Sequence, residues 1–426
     1  MTVKDMLGRT GVVSREDALI LLHERFTVVE LDQEDLQLSS ALGRIISRDI
    51  LSPADSPAFD RSTMDGYAVR SNDTFGAAES RPALITLVGE ILMGTMPDRL
   101  IGKGEAMKIA TGGALPQGAD AVVMLEQTQP VDAKSIEVVK PVAPDENVIK
   151  RGEDVRQGEV ILSKGHRVRP QDMAALASVG ITRIPVYRRP RVAIISTGNE
   201  IVPPESTPGP GQIRDCNSYN LEGLVLESGG EPMRKGIISD DYVRLRETLE
   251  AAIRESDMLI MSGGSSVGTA DLTAKVINDI GKPGVLIHGV SIKPGKPLVV
   301  GLITTPQKQT PVFGLPGHPA AVSICFEVFV KPVIARMSGE SPVPGLEGIS
   351  PYRVVKARLV RSISSNPGRE DHVRVALEKR EDGLWARPIF GASGLISTLV
   401  KASGTVVVPV NKIGIESGEE VEVRLF

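Results

Sequence analysis

The sequence predicts a multidomain protein of α/β plus β class. A central three-layer α/β domain with a mostly parallel sheet is joined by an inserted β-rich domain, an N-terminal mixed domain and a C-terminal β-barrel-like domain. Three observations predict it. From Arg191 the chain alternates strand-like runs (RVAIIST, PMRKGIIS, DMLIMSGG) with helix-like runs (YNLEGLVLESG, DYVRLRETLEAAIRES, DLTAKVINDIG), the pattern of βαβ units. Between Leu84 and Val142, and again after the linker SGESPVPGLEG, short apolar runs separated by Gly and Pro replace that alternation, as small β domains require. The length of 426 residues, with 41% apolar and 24% charged residues, exceeds what one core organises.

The elements follow in order. Ser14 with Asp17 three residues on reads as a capping box, and Ala18 to Phe26 carries apolar residues at helical spacing. A second helix is expected over Leu36 to Ile46. The runs LITLVGEILMG, EAMKIATGG, ADAVVMLEQ and SIEVV read as the inserted β domain, DMAALASVG as a helix and ITRIPVY as a strand. In the α/β region VLIHGVSI, PLVVGLI and PVFGLP supply three further strands, and Ala320 to about Arg336 a closing helix. YRVVKARLV, DHVRVALEKR, LWARPIF, TVVVPV and EEVEVRLF form the last domain. The expected partition is 1–52 plus 147–188, 53–146, 189–337 and 338–426.

Composition narrows the function. Forty-nine Lys and Arg against 53 Asp and Glu give a net charge of −4, so no basic field exists to hold nucleic acid or an anionic membrane. No apolar run approaches the roughly 18 residues of a spanning helix, and the N-terminus lacks a signal-peptide core; a cytoplasmic protein is expected. Cys216 and Cys325 are too few for a disulfide framework, and five scattered His residues lack metal-ligand spacing. Any metal would take oxygen ligands. Fourteen aromatics leave little for base stacking.

Polar clusters at strand ends carry the chemistry, because open α/β sheets bind ligands beyond the carboxyl ends of their strands. IISTGNE ends in Ser196, Thr197, Gly198 and Glu200. MLIMSGGSSVG runs through Ser262, Gly263, Gly264, Ser265 and Ser266 towards a helix, where glycines admit an anion to backbone amides and serines add hydroxyl donors. A Gly-rich turn without the GK[ST] ending is no Walker A loop. Asp240, Asp241 and Asp271 open the next two helices; capping accounts for each alone, while with Glu200 they make an oxygen-ligand Mg²⁺ site. In IKPGKP, Lys293 and Lys296 flank Pro294 and Gly295, a stiff turn that is either a solvated basic turn or a pair of ammonium groups aimed at one oxyanion. GLPGHPAA brings Pro316, Gly317 and His318 to a helix start. FDRSTMDGYAVR crowds Asp60, Arg61, Ser62, Thr63, Asp65 and Tyr67 into one loop, and KIATGGALPQGADAVV and VIKRGEDV add Thr111, Arg151, Glu153 and Asp154.

SPAFDRSTMDGYAVR, KIATGGALPQGADAVV, RGEDV, AIISTGNEIV, GQIRDCNSYNL, GIISDD, SGGSSVGTAD, IKPGKP and GLPGHP stand in one order along the chain. Together they resemble the MoeA family of molybdopterin molybdenumtransferases, which includes the C-terminal domain of gephyrin. The resemblance spans essentially the whole chain. It implies a four-domain homodimer, dimerised through the N-terminal domain, that inserts molybdate into adenylylated molybdopterin with Mg²⁺ and releases AMP and molybdenum cofactor. It further implies that Ser262 to Ser266 hold the pterin phosphate region, with Ser266 and Asp271 assisting anhydride cleavage and Glu200 and Asp240 lining the same pocket. Metal contacts would be Glu200, Asp240 and Asp271. Asp65, Thr111 and Asp154 would face the site across the dimer interface. Lys293 and Lys296, with Arg369 and Ser393 from the C-terminal domain, would bind molybdate, and Pro316, Gly317 and His318 would be further cofactor-binding residues. A molybdopterin adenylyltransferase and molybdoenzyme acceptors would be protein partners. The chain departs from the family where His318 replaces the frequent Asn of the PGNP turn, Ala321 a common Ser, and His288 and Gly289 precede IKPGKP. These departures leave tungstate open beside molybdate. A noncatalytic pterin-binding scaffold, or an adenylyltransferase using ATP, are the readings from other classes.

Overall fold

The structure, a computed structural model, describes residues 12–27, 30–263, 267–341 and 353–426. Gly264, Ser265, Ser266 and most of the linker after Ser341 lie outside the described residues. The chain divides into two bodies, residues 35–185 and the remainder.

In the larger body the expected alternation appears as β1 (Arg191–Thr197), α1 (Asn217–Glu227), β2 (Glu231–Ile238), α2 (Tyr242–Glu255), β3 (Met258–Gly263), α3 (Val267–Ile280), β4 (Lys282–His288), β5 (Val299–Thr304), β6 (Gln309–Leu315) and α4 (Pro319–Cys325). Strand order is β2-β1-β3-β6-β5-β4. The first four run parallel, β5 pairs antiparallel with β6, and β4 pairs antiparallel with β5. Both faces of the sheet are covered, so the inner strands β1, β3, β5 and β6 are buried along nearly their whole length, while the edge strands β2 and β4 are partly exposed. Val192 and Ile194 of β1 join one core with Ala18 and Leu22 of the N-terminal helix Arg15–Arg25, with Leu221 and Val225 of α1, and with α4. Ala193 and Ile195 join the other core, against Leu245, Leu249, Ala252 and Ile253 of α2 and Val276 and Ile277 of α3. The α2 residues recur at the spacing of one helical face.

Caps set the helix starts. Ser14 Oγ accepts from the Asp17 N–H at 3.0 Å, and Asp241 Oδ1 from the Arg244 N–H at 2.9 Å. One expectation is corrected: α3 starts at Val267, so Asp271 lies in its second turn and does not open it. Arg188 donates to both oxygens of Asp257 at 2.6 and 2.9 Å, and Asp257 also accepts from the Arg191 N–H. This fork pins the entries of β1 and β3 together. The closing helix runs from α4 through a π-helical turn, Phe326–Val330, into Lys331–Met337.

The C-terminal strands close on themselves. β7 (Val354–Leu359), β8 (Glu370–Arg380), β9 (Gly383–Pro388), β10 (Gly404–Val408) and β11 (Glu420–Leu425) pair in the order β8-β9-β7-β11-β10, and β10 returns to β8. The result is a five-stranded barrel around Ala357, Leu359, Val375, Ala386, Val406 and Val423. The short strand Ile292–Lys293 attaches to its rim, pairing parallel with β8 so that Lys293 stands opposite Asp371.

Residues 35–185 carry a six-stranded mixed sheet in the order Ala121–Met124, Gly66–Val69, Glu105–Ile109, Ala83–Glu90, Ser135–Val138, Thr128–Asp132. Apolar residues pack on both of its faces. The expected helix over Leu36 to Ile46 is absent. Gln33–Gln37 is a strand, Leu38–Ser40 a single 3₁₀ turn, and Gly43 adopts φ +74°. The backbone of 43–46 instead exchanges hydrogen bonds with 165–168: Gly43 and Ile46 donate to the Val168 and His166 carbonyls, and Val168 donates to that of Arg44. Long-range pairing has overridden a helical apolar spacing that buries Leu38, Ala41, Ile45 and Ile46 equally well when extended.

Asp172, in the first turn of the helix Pro170–Ser178, is the best-bound carboxylate of this body. Its oxygens accept from Arg169 Nε and Nη2 and from the Arg169 N–H, and lie 2.6 Å from His166 Nε2. Burial alone would raise this carboxyl, but the Arg169 guanidinium, His166 and the Arg169 N–H outweigh it and hold it at about 2, below its ordinary 3.8. The folded value is depressed, so the stabilisation is complete above roughly pH 4 and lost as pH falls through 2. It amounts to about 2 kcal/mol. Asp172→Asn is expected to lower stability by that amount in urea unfolding at pH 7, with the gap closing at about pH 2.

Candidate active site

The barrel rim and the ends of β6 and α4 enclose a cavity of about 550 Å³. Seven of the predicted residues line it: Lys293, Lys296, Pro316, Gly317, His318, Arg369 and Ser393. The fold brings them from four stretches of chain. Lys293 and Lys296 come from the rim strand and its turn, where Gly295 has φ +131° and a side chain would meet Cys325 Sγ and Ile292 Cδ1 at 2.7 Å. Only glycine makes that turn at that distance. Pro316 to His318 form the β6–α4 corner. Arg369 and Ser393 come from the barrel; Ser393 Oγ shares a hydrogen bond with His318 Nδ1 at 2.8 Å, and its carbonyl accepts from the Ala320 N–H. Behind the cations lies Asp371, accepting from Arg369 Nε at 2.8 Å with Lys293 Nζ at 3.9 Å.

Beside this cavity a buried polar network ties the carboxyl ends of β1, β3 and β6. Asn217 donates one Nδ2 hydrogen bond to Ser262 Oγ at 2.9 Å and another to the Gly317 carbonyl at 2.8 Å. Ser196 Oγ donates to Asp215 Oδ2 at 2.7 Å, and Asp215 Oδ1 accepts from the Ser218 N–H. Gly263 ends β3 against Thr197, whose carbonyl oxygen would lie 1.9 Å from any Cβ there. Ser262 and Gly263 therefore deliver the chain to residues 264–266 from a fixed strand end.

The carboxylates expected to hold a metal divide. Glu200 and Asp240 are neighbours: burial first, then the Glu200 charge, push the Asp240 carboxyl above its usual range, against an opposing N–H from Asn199. Asp271 is exposed and lies 3.8 Å from His288 Nε2. Among the described residues no three His, Cys, Asp or Glu side chains converge as a ready-made metal cage. Two carboxylates with open positions suit a hard cation that shares its shell with substrate oxygens.

Asp65, Thr111 and Asp154 belong to the other body. Asp65 Oδ1 accepts from the Thr111 N–H at 2.7 Å and from Thr111 Oγ1 at 3.0 Å, which together hold its carboxyl below the usual range. The FDRST and RGED loops are bound through Asp60, which accepts from the Arg151 N–H at 2.8 Å and Lys150 Nζ at 3.2 Å. Asp154 is held separately, by Ser56 Oγ at 3.4 Å. Arg151 pairs with Asp55 and Glu153 accepts from the Lys150 N–H.

Residues 13–180 match the family described as "MoeA N-terminal region (domain I and II)", residues 193–336 the "Probable molybdopterin binding domain" and residues 356–426 the "MoeA C-terminal region (domain IV)". A Methanocaldococcus jannaschii protein is 37% identical over 402 residues, 92% of each chain. The chain belongs to the MoeA family. The molybdopterin molybdenumtransferase of Nostoc sp. is 36% identical over 394 residues, 92% of this chain and 88% of its own. The crystal structure of a molybdopterin biosynthesis MoeA protein from Pyrococcus horikoshii has a TM-score of 0.80 at 39% identity, covering 97% of this chain and 99% of that one. As a MoeA family member the chain is an enzyme, a transferase of molybdenum cofactor biosynthesis. Among the described residues no helix is long and apolar enough to cross a membrane.

In this MoeA chain, sequence reasoning passed over Asp215, Asn217, Asp371 and Arg374. The run RDCNSYN opening α1 carried a signal, since polar side chains at a strand-to-helix corner of an α/β sheet are placed to meet a ligand or to hold the loops that do. Asp371 and Arg374 had none, because DHVRV reads as an ordinary alternating strand.

Proposed function

We propose that this MoeA chain inserts molybdate, or by the same reaction tungstate, into adenylylated molybdopterin, releasing AMP and the metal-loaded cofactor. The carrying observation is the cavity in which Lys293, Lys296 and Arg369 stand with Ser393 and His318 beside the Asn217-bound strand ends. A tetrahedral dianion needs cations and hydroxyl donors, and this wall supplies both. Ser262 to Ser266 and the Gly317 corner would seat the pterin and its phosphate. Glu200 and Asp240 would hold Mg²⁺ through oxygen atoms, offsetting the burial and the Glu200 charge that together raise Asp240. Bound there, the ion would neutralise charge on the phosphoanhydride.

The remaining work falls to the chain's own groups. The lysines and Arg369 orient the oxyanion, so that it, or water beside it, meets the anhydride phosphorus while AMP departs, and Asp271 assists at that bond. Asp65, Thr111 and Asp154 would complete the site across a homodimer interface, in a cytoplasmic enzyme that receives its substrate from an adenylyltransferase and hands its product to molybdoenzymes. The four-part partition of the chain expected from the sequence belongs to this reading.

The test is AMP release from adenylylated molybdopterin with Mg²⁺, in separate arms with molybdate, tungstate, no oxyanion, and ATP in place of the pterin. Oxyanion-dependent release is expected, at least about 100-fold slower in Asp271→Asn with pterin binding retained. Release in the ATP arm alone, or none in any arm from folded protein, overturns the reading; undiminished turnover in Asp271→Asn removes Asp271 from it.

A further inference from the structure

We infer that Asp371 is the internal counter-ion of the cation-lined cavity and sets how readily a bound oxyanion is released. The inference rests on the oxyanion reading of that cavity. Asp371 is only 3% exposed, yet it sits among cations that face the cavity. Arg369 grips it with Nε at 2.8 Å and Nη2 at 3.4 Å, and the parallel register of the rim strand fixes Lys293 opposite it, with Nζ at 3.9 Å. The lining holds four permanent cations, Lys293, Lys296, Arg369 and Arg374, and this one carboxylate.

Arg374 shows the contrast. It is 8% exposed, its Nε lacks a hydrogen-bond partner, and its Nη2 donates to the neutral Gly391 carbonyl at 3.0 Å. Among the described residues no carboxylate pairs with it. The cavity thus keeps one buried positive charge uncompensated, which attracts an anion, and two cations already engaged, which an arriving anion must draw from Asp371.

Binding is therefore an exchange of partners. An oxyanion draws Lys293 and Arg369 away from Asp371, and on release the carboxylate takes them back, so the buried carboxylate is poorly paired only while the anion is bound and its recovery of the two cations favours release. A site that only stored the anion would gain from deleting the carboxylate. A transferase must pass its oxyanion on, and holding substrate as tightly as possible in the ground state does not speed that step.

The experiment is calorimetric titration of the full chain with sodium molybdate, and separately with sodium sulfate, at low ionic strength. In Asp371→Asn the molybdate dissociation constant is expected to fall roughly 10-fold to 100-fold, the effect of removing one like charge at about 4 Å in a partly wet site, with sulfate tightening in parallel and oxyanion release slowing. A purely structural carboxylate would give the reverse, because Lys293 and Arg369 would lose their orientation; unchanged or weaker binding overturns the inference. Asp371→Ser serves as the second variant should Asn disturb folding, judged by circular dichroism. Wild-type protein that binds neither anion sinks the oxyanion reading itself. Binding that is lost in Lys293→Gln with Arg369→Gln but unaltered in Asp371→Asn removes only the counter-ion role.

Discussion

Lys293→Gln combined with Arg369→Gln is expected to raise the molybdate concentration for half-maximal turnover by at least about 100-fold while leaving the KM for the adenylylated pterin within about 2-fold. Hydrogen bonds from charged donors contribute about 1.5–3 kcal/mol each, so losing two amounts to roughly 3–6 kcal/mol, or two to four powers of ten. Glutamine is the informative replacement. Asp371 is buried behind both side chains, and an apolar substitute would strand it at a cost of roughly 3–5 kcal/mol in folding, whereas an amide still donates to it. The check is an oxyanion titration of AMP release with the melting midpoint recorded beside it. A wild-type molybdate dependence would take both residues out of the anion wall.

Asn217→Ala is expected to lower the melting midpoint by roughly 5–10 °C and turnover by about 10-fold to 100-fold. The side chain spans two strand ends, and both of its N–H groups are used. Truncation leaves Ser262 Oγ and the Gly317 carbonyl without that donor in a dry corner, at about 1–3 kcal/mol each. The functional loss follows from where the partners lie: Gly317 is cavity wall, and Ser262 is the last buried residue of β3. Asn217→Asp keeps the shape but removes the donors, so it should behave like the alanine variant. Thermal unfolding and kcat together check this; a variant that melts lower but turns over normally would confine Asn217 to stability.

The α/β layers were legible because the inner strands are buried on both faces and α2 carries a single apolar stripe, so composition and period agree there. The Leu36–Ile46 segment shows the limit. Its apolar residues suit a helix as well as they suit the extended path observed, and the partner that decides, residues 165–168, lies far along the sequence. The same divide runs through the site. IKPGKP and GLPGHP announced themselves through glycines and prolines that local geometry demands, and their residues do meet in one cavity. Asp371 and Arg374 became visible only once barrel closure and the rim pairing fixed the register of β8, since nothing local distinguishes a carboxylate facing a lysine from one facing water.

That rim pairing also bears on how the molecule comes together. Ser291 Oγ reaches the Gly368 carbonyl across 77 residues of chain, next to the parallel step that sets Lys293 against Asp371. Contacts of such separation form late, because their loop-closure entropy is met only when both ends are already structured. The strands and helices from β1 onward can settle from neighbouring segments, while the cavity must wait for the barrel to close and dock. During synthesis the strand ends of the sheet would thus be in place well before the cavity exists. The same order, run backwards, makes the rim strand the place where native-state hydrogen exchange would open the cavity without unfolding the sheet beneath it.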